Sequence, residues 1–194
     1  MSPGHPAQEW DARYAAHEHV WSATPNATVE EICRPLPAGS ALDLGAGEGR
    51  HAVWLAGLGW RVTAVDFSRV GLDKGRAGAQ AADLDITWVV DDVRTWRPVA
   101  GTTYDLVLVA YLHLGPDVFA AARALVAPGG RLVVVGHAKR NVADGVGGPQ
   151  DPALLHDEAG LRSAAGDLRI ERLGEVIRST PDGDAIDIAL VARR

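Results

Sequence analysis

Asp43-Leu44-Gly45-Ala46-Gly47-Glu48-Gly49 is the stretch of sequence that decides the fold. Residues 40–44 are apolar enough to form a strand that ends inside this stretch, and residues 49–58 have the apolar spacing of a helix. The glycines between them predict a tight turn without side chains, whose backbone N–H groups face a ligand. The stretch therefore predicts a ligand-binding turn between a first strand and the helix that follows it.

Apolar runs and amphipathic stretches alternate beyond this turn, which is typical of strand-helix-strand units that form a mostly parallel sheet. Further strands are predicted at residues 60–65, 86–90, 104–110 and 131–136, and further helices at residues 68–82 and 116–126. Ser68 is placed to cap the first of these helices. The pattern predicts a Rossmann-like, doubly wound α/β fold.

The C-terminal part departs from the parallel rhythm. Residues 168–179 and 185–192 are strand-like, and only a short Pro181-Asp182-Gly183-Asp184 segment separates them. They therefore predict an antiparallel hairpin that completes a seven-stranded sheet. Pro128-Gly129-Gly130 predicts a turn before the fifth strand, and residues 138–152 predict an irregular loop over the strand ends, because both are rich in glycine and proline.

A chain of 194 residues suits one α/β domain, and no change of composition divides it. Trp10, Tyr14 and Trp21 lie in an amphipathic segment ahead of the first strand, and we expect this segment to form a helical cap. The expected organisation is a single domain at residues 1–194, with the cap at residues 1–38 and the core at residues 39–194.

The composition excludes several classes of protein. Hydrophobic residues make up 47% of the chain and charged residues 23%, as in a folded globular protein. The net charge of -6 includes no lysine-rich or arginine-rich run, so we expect no nucleic-acid partner. Cys33 is the single cysteine, which excludes an internal disulfide and a thiolate cluster, and we expect no metal site. Since no leader peptide or membrane span is recognisable, we expect a cytoplasmic protein without a membrane partner.

Acidic residues follow two further strands of the predicted sheet. Asp66 ends the second strand, where its carboxylate is placed to accept both hydroxyls of a ribose. Asp91 and Asp92 end the third strand, where Asp92 and the backbone of Val93 are placed to recognise adenine. Helix capping or a solvated turn would explain any one of these acidic residues as well as a ligand site would. The placement of all of them at the ends of adjacent strands favours an adenosine site. A dinucleotide site is weakened, because Arg50 stands where the third glycine of G-x-G-x-x-G belongs.

These motifs resemble those of the class I S-adenosylmethionine-dependent methyltransferases. The matching segments are residues 43–50, Asp66, Asp91-Asp92-Val93, Tyr104-Asp105-Leu106-Val107 and residues 125–132. The Trp10 to Tyr14 segment is similar to that of the small thiopurine and tellurite-resistance-type members. The resemblance implies S-adenosylmethionine as cofactor. The residues expected to bind it are Trp10, Arg13, Tyr14, Asp43, Gly45, Ala46, Gly47, Glu48, Arg50, Asp66, Phe67, Ser68, Asp91, Asp92, Val93 and Ala110.

The methyl acceptor is expected to lie beyond the fourth and fifth strands. Tyr111, His113 and His137 are the catalytic candidates there, and together with Trp21 they are the candidate acceptor-binding residues, although a purely structural role competes for each. A thiol or another soft anion would need no general base. Residues 110–113 lack the Asn-Pro-Pro-Tyr-like segment of base-modifying enzymes. A small-molecule acceptor is therefore expected.

Two other functions remain open. The first is an NAD(P)-dependent oxidoreductase on a similar sheet, which predicts a parallel sixth strand. The second is a non-catalytic sensor of S-adenosylmethionine, which predicts binding without methyl transfer. The oligomeric state is not indicated by the sequence.

Overall fold

A seven-stranded sheet organises the chain, and the computed structural model describes residues 6–113 and 115–194 of it. The strands are β1 (Ser40–Leu44), β2 (Arg61–Asp66), β3 (Ile86–Val90), β4 (Tyr104–Ala110), β5 (Val126–His137), β6 (Arg169–Thr180) and β7 (Gly183–Arg193). Their order across the sheet is β3-β2-β1-β4-β5-β7-β6. Strands β1 to β5 run parallel to one another, whereas β7 pairs antiparallel with both β5 and β6.

Seven α-helices surround the strands in the described part of the chain. They are α1 (Pro6–Ala15), α2 (Ala27–Cys33), α3 (Arg50–Gly57), α4 (Arg69–Ala81), α5 (Pro116–Ala124), α6 (Asn141–Asp144) and α7 (Glu158–Ala165). Side-chain caps begin three of the described helices. Asn26 accepts from the backbone N–H of Thr28, the Ser68 hydroxyl from that of Gly71, and the Asp157 carboxylate from that of Gly160. Within the described residues, no helix is long and apolar enough to cross a membrane.

Both faces of the sheet are buried, as a sheet of parallel strands requires. Alternate residues of β4 show this, since Leu106 and Leu108 belong to one apolar cluster and Val107 and Val109 to the other. Helices α3 and α4 contribute to the first cluster, while α5 and α7 contribute to the second. The carboxyl ends of β1 to β5 therefore form one accessible rim.

The predicted fold class is confirmed, with corrections to individual elements. The helix predicted at residues 116–126 ends at Ala124. Pro128-Gly129-Gly130, predicted as a turn, instead forms a bulge within β5, because Tyr104 pairs with Val126 and Leu106 already pairs with Arg131.

Further differences from the predicted elements concern one strand, two helices and the direction of the sixth strand across the sheet. Strand β2 starts and ends one residue later than predicted. Helix α7 was not predicted, and α6 interrupts the loop expected at residues 138–152. The oxidoreductase alternative predicts a parallel sixth strand. This prediction is wrong, because β7 pairs with β5 and runs antiparallel to it. Residues 1–5 of the predicted cap lie outside the described residues.

Two glycines of α4 allow a matched test of the packing behind the glycine turn. A Cβ on Gly75 would lie 2.5 Å from the Trp88 ring and 3.0 Å from the Glu48 carbonyl oxygen, whereas one on Gly78 would meet nothing within 4 Å. We expect Gly75→Ala to lower the free energy of unfolding by ~1–3 kcal/mol through overpacking. Gly78→Ala should raise it by ~0.5–1 kcal/mol through helix propensity. Urea denaturation measures both, and equal changes in the two variants would contradict this packing.

Candidate functional site

A single cavity of about 810 Å³ opens at the carboxyl rim of the sheet, within the usual range for small-molecule sites. Residues from the cap, from the ends of β1 to β5 and from β6 line it. The predicted site residues among them are Trp10, Arg13, Tyr14, Trp21, Gly45, Ala46, Gly47, Arg50, Asp66, Phe67, Asp92, Val93, Ala110, Tyr111, His113 and His137. The cavity thus brings most of the predicted residues together.

Residues that were not predicted also line this cavity, and some predicted ones do not. The additional lining residues are Asn26, His51, Arg94, Leu112, Gly148, Pro149 and Arg178. The predicted residues outside the lining are Asp43, Glu48, Ser68 and Asp91. Hydrogen bonds of Glu48, Ser68 and Asp91 connect the wall of the cavity to the cap and to the neighbouring turns.

The glycine turn is bare, but its N–H groups are not free as the sequence suggests. Gly45 and Ala46 donate to the Val65 carbonyl oxygen at 2.9 and 3.1 Å, and Gly47 donates to the Asp66 carboxylate at 2.9 Å. The turn therefore lets a ligand approach because it has no bulky side chains. It does not offer the ligand unpaired N–H groups at residues 45–47. Gly47 has φ of 55°, and a Cβ there would lie 2.6 Å from the Tyr14 hydroxyl oxygen.

Asp66 connects the turn, the second strand and helix α4. Its Oδ2 accepts from Gly47 N, and its Oδ1 accepts from Ser68 N at 2.8 Å. Burial raises the pKa of Asp66, although these two N–H groups oppose the shift. The Ser68 hydroxyl in turn donates to Asp11, which links α1 to the same network. Asp66 therefore lies in the wall with a position fixed by backbone donors.

Asp92 and Val93 lie on the neighbouring part of the wall, beyond β3. The Asp92 carboxylate accepts from the backbone N and from the guanidinium of Arg94, in a two-pronged contact. Asp91 accepts from Asp92 N through its own side chain. Asp92, which is expected to contact adenine, thus also binds the guanidinium of Arg94. The sequence did not indicate this partner.

Glu48 attaches the cap to the glycine turn instead of lining the cavity. Its carboxylate accepts from the backbone N–H groups of Val20 and Trp21, both at 3.0 Å through Oε2, and forms an ion pair of 2.9 Å with Lys74. Burial alone would raise the pKa of Glu48, but Lys74 and the two N–H groups hold it below its usual value. The segment after α1 is therefore held by the Glu48 carboxylate together with Lys74, whose ammonium group donates to the carbonyl oxygens of His17 and Glu18.

Aromatic rings and two arginines form the cap side of the cavity. The Arg13 guanidinium lies 4.9 Å from the centroid of the Trp10 ring and 5.3 Å from that of Trp21. The Arg50 guanidinium lies 5.9 Å from the ring centroids of Trp21 and Tyr111. Among the described residues, neither arginine forms an ion pair with a carboxylate. Both cations are therefore available to an anionic group.

Asp43 lies buried beneath this region, behind the turn. Its Oδ2 has no hydrogen-bond partner among the described residues. Burial and the nearby Asp66 raise the pKa of Asp43 to about 7, while Arg50 opposes the shift. A carboxyl with a raised pKa behind a bare turn is typical of a functional site.

Tyr111 begins the opposite end of the cavity, after β4. Its backbone has φ of 55°, a left-handed conformation that is rare for a residue with a side chain. Its hydroxyl donates to Asp187 Oδ2 at 2.5 Å and accepts from Asn26 Nδ2 at 2.7 Å. Burial, followed by the charge of Asp187, raises the pKa of Tyr111. The hydroxyl therefore stays protonated and has both partners fixed.

Three histidines cluster beside Tyr111. The rings of His113 and His137 lie 6.4 Å apart and nearly parallel, and His156 lies 6.2 Å from His113. His113 Nδ1 donates to the Leu154 carbonyl oxygen at 2.6 Å, and burial lowers the pKa of His113. His113 and His137 line the cavity, as predicted, whereas His156 does not.

Asp187 and Arg178 are polar residues of this end that sequence reasoning missed. Asp187 is fully buried and lies 3.0 Å from His137 Nδ1, while Arg178 Nε donates to it at 2.8 Å. The only signal in the sequence was a lone aspartate within an otherwise apolar strand. Across the part of the chain described, no group of three or more His, Cys, Asp and Glu residues could hold a metal ion.

Part of the chain matches a known protein family, and the fold matches solved structures. Residues 41–130 match the model of a family described as a methyltransferase domain. No curated protein matches the chain. A solved structure described under the conversion of a disulfide bond into a thioacetal group during echinomycin biosynthesis has a TM-score of 0.76 and 23% identity, covering 98% of this chain and 93% of its own.

Two further solved structures are similar over most of this chain. TehB from Haemophilus influenzae has a TM-score of 0.72 and 17% identity, covering 96% of this chain and 67% of its own. NodS from Bradyrhizobium japonicum WM9, an N-methyltransferase in complex with S-adenosylhomocysteine, has a TM-score of 0.69 and 16% identity, covering 96% and 97%. At these identities the likeness shows a shared fold.

The Glu48 contacts generate a prediction for acid pH. Because the folded-state pKa of Glu48 is depressed, its contribution is complete above the usual glutamate pKa of ~4.3 and is lost as pH falls through the lower folded value. We expect Glu48→Gln to lower the hydrogen-exchange protection factors of residues 16–24 about tenfold at pH 7, and acid to lower the same protection factors in the unmodified protein.

Hydrogen-exchange mass spectrometry measures this effect. Glu30→Gln is the control, because Glu30 pairs with Arg34 on the surface of α2, away from the turn. Equal protection of residues 16–24 in the Glu48 and Glu30 variants would refute the anchoring role.

Proposed function

We propose that the chain is a class I S-adenosylmethionine-dependent methyltransferase and that its methyl acceptor is a small molecule. The fold and the methyltransferase-domain match at residues 41–130 support the first part of this proposal. One observation carries the proposal. A single cavity of about 810 Å³ extends from the glycine turn and Asp66 to Tyr111 and His137, so a nucleoside and a small second molecule share one space.

The nucleoside end suits adenosine. We assign the ribose hydroxyls to Asp66, whose carboxylate is oriented by Gly47 N and Ser68 N. We assign the adenine to Asp92 and the Val93 backbone, because both line the cavity beside Asp66. The remaining cofactor contacts in this proposal are Gly45, Ala46, Phe67 and Ala110, which line the same wall.

The cap suits the amino-acid part of the cofactor. Arg13 lines the cavity without a carboxylate partner among the described residues, so its planar guanidinium is available to the cofactor carboxylate. Trp10, Tyr14 and Trp21 present ring faces there, and such a face stabilises a desolvated cation by ~1–2 kcal/mol. We propose that residues 1–38 and 39–194 form one methyltransferase domain in which the cap covers the cofactor.

The chain's contribution to the reaction is mainly positioning. Bound S-adenosylmethionine supplies a methyl group that its sulfonium has already activated. The fixed wall around Asp66 sets the position of the donor, and the residues after β4 and β5 set that of the acceptor. Holding both partners in line removes much of the entropic barrier, and the cap keeps water from the reacting atoms.

The electrostatics and size of the site favour a small acceptor over nucleic acid. The chain has a net charge of -6, and its sequence has no lysine-rich or arginine-rich run of the kind that binds a phosphate backbone. The acceptor end lies beneath the cap and the segment containing Gly148 and Pro149, which leaves room for a compact molecule. A protein acceptor would need a larger docking surface.

Binding and methyl transfer test the proposal in sequence. We expect calorimetry to detect binding of S-adenosylmethionine and of S-adenosylhomocysteine to the protein, but no binding of NADH. Transfer of a labelled methyl group is then measured against a panel of phenols, thiols, amines and chalcogen oxyanions. Binding of NADH alone would overturn the methyltransferase assignment, and cofactor binding without transfer to any acceptor would favour a sensor.

Asp66 gives a residue-level prediction. We expect Asp66→Asn to weaken S-adenosylhomocysteine binding by ~1.5–3 kcal/mol, the range for a lost hydrogen bond to a charged group. Asp85→Asn is the matched control, because Asp85 is exposed and precedes β3 outside the cavity. Calorimetry measures both affinities, with circular dichroism as the check on folding. Unchanged affinity in a folded Asp66 variant would leave Asp66 with a structural role only.

A further inference from the structure

The register of the C-terminal hairpin creates a polar pair at the acceptor end. In the antiparallel pairing of β5 with β7, His137 lies directly opposite Asp187. Residues opposite each other in an antiparallel pair project from the same face of the sheet, so the two side chains meet. His137 Nδ1 lies 3.0 Å from Asp187 Oδ1.

Asp187 is held as a buried carboxylate. Arg178 Nε donates to its Oδ2 at 2.8 Å, and the Tyr111 hydroxyl donates to the same oxygen at 2.5 Å. Burial alone would raise the pKa of Asp187, but the contacts from His137, Arg178 and Tyr111 hold it below its usual value. The carboxylate therefore remains charged and fixed beside the imidazole.

The second ring nitrogen of His137 is left for a ligand. The 3.0 Å contact between Nδ1 and the Asp187 carboxylate is close but not aligned as a hydrogen bond. A neutral His137 that carries its proton on this side has its lone pair on Nε2. Nε2 has no hydrogen-bond partner among the described residues, and His137 lines the cavity. A Cβ on Gly148 would lie 2.6 Å from His137 Cδ2 and 2.7 Å from Nε2, so a side chain at position 148 would cover this edge of the ring.

We propose that His137, positioned by Asp187, is the general base that deprotonates a phenolic or enolic hydroxyl on the acceptor. This inference rests on the proposed methyl transfer to a small molecule and names the class of that molecule. Tyr111 and Arg178 are positioning residues that act through Asp187. His113 lines the cavity, but its Nδ1 hydrogen bond is to a backbone carbonyl rather than to a carboxylate.

The step balances in atoms and electrons. The acceptor oxygen gives its proton to His137 Nε2 and forms a bond to the methyl carbon, while the carbon–sulfur bond breaks and its electron pair stays on sulfur. The products are a methyl ether and S-adenosylhomocysteine, and the proton remains on an imidazolium beside the Asp187 carboxylate. Solvent then takes this proton. A positioned base of this kind contributes typically 10²–10⁴-fold to a rate.

Charge distinguishes the hydroxyl from the other acceptors. Arg50 faces Tyr111 at 5.9 Å without a carboxylate partner among the described residues. An amine would acquire positive charge as it takes the methyl group, which Arg50 opposes, whereas a hydroxyl develops negative charge, which Arg50 stabilises. A thiol ionises unaided near neutral pH and gives no function to the base. An imidazole suits a phenol or an enol better than an alcohol, because their acidities lie closer together.

The experiment compares matched acceptors that differ in their need for a base. 4-Nitrophenol, catechol and 4-methylphenol are the hydroxyl probes, and 4-nitrothiophenol, which is already an anion at neutral pH, is the thiol probe. Methyl transfer from S-adenosylmethionine is measured for the unmodified protein, His137→Gln and the control His156→Gln, which removes a neighbouring imidazole outside the cavity lining. S-adenosylhomocysteine affinity is measured first and tests the methyltransferase assignment separately.

We expect the unmodified protein to methylate the hydroxyl probes. His137→Gln should lower kcat/KM for 4-methylphenol at least 100-fold and change any thiol methylation less than threefold, while His156→Gln leaves the hydroxyl rates within threefold. If S-adenosylhomocysteine binds but no hydroxyl probe is methylated, the inference is overturned. Equal losses with 4-methylphenol and 4-nitrothiophenol overturn it as well, because they indicate a structural role for His137.

Selectivity between the probes tests the positioning role of Asp187. We expect Asp187→Asn to lower kcat/KM for 4-methylphenol at least tenfold and to change any methylation of 4-nitrothiophenol less than threefold, because only the hydroxyl needs an oriented base. If Asp187→Asn does not fold, Tyr111→Phe replaces it, because the Tyr111 hydroxyl donates to the same carboxylate. Equal losses with both probes in the folded variant overturn the positioning role.

Discussion

The double hydrogen bond of the Asp66 carboxylate is the constraint on which the rest of the site depends. By accepting from Gly47 N and Ser68 N, it joins the turn after β1 to the start of α4 at the end of β2. Ser68 extends the connection to Asp11 of the cap. Because these partners are backbone groups or short side chains, the geometry of the rim is set by the fold itself and is little affected by side-chain motion.

Under the proposed function, the sheet order divides the cavity into a half for the methyl donor and a half for the acceptor. Strands β2 and β3 lie on one side of β1 and bring Asp66 and Asp92, while β4, β5, β7 and β6 lie on the other and bring Tyr111, His137, Asp187 and Arg178. Arg50 starts α3 between them, next to rings from both the cap and β4. The nucleoside half is built from local turns, whereas the acceptor half depends on contacts between distant strands.

This division explains what the sequence could predict. The glycine turn, Asp66 and the Ser68 cap are encoded within a few residues, and parallel strands meet at one rim whatever their exact register. Asp187 could not be found in this way. It faces His137 only because β5 pairs with β7, which brings together two residues that are 50 positions apart in sequence. The N–H groups of the turn were misjudged for a similar reason, since the acceptors that occupy them belong to Val65 and Asp66 on the next strand.

The antiparallel pairing also limits how this part of the chain can change length. A one-residue insertion within β7 would place Ile186 or Ile188 opposite His137 and turn Asp187 to the other face, because side chains alternate with a period of two. Such an insertion is tolerated only if the extra residue forms a new bulge, or if a second inserted residue restores the alternation of side chains. The tip of the hairpin at residues 181–182 lies beyond this restriction. Natural variation in length should therefore concentrate at the tip, and the middle of β7 should be conserved in length more strictly than in sequence.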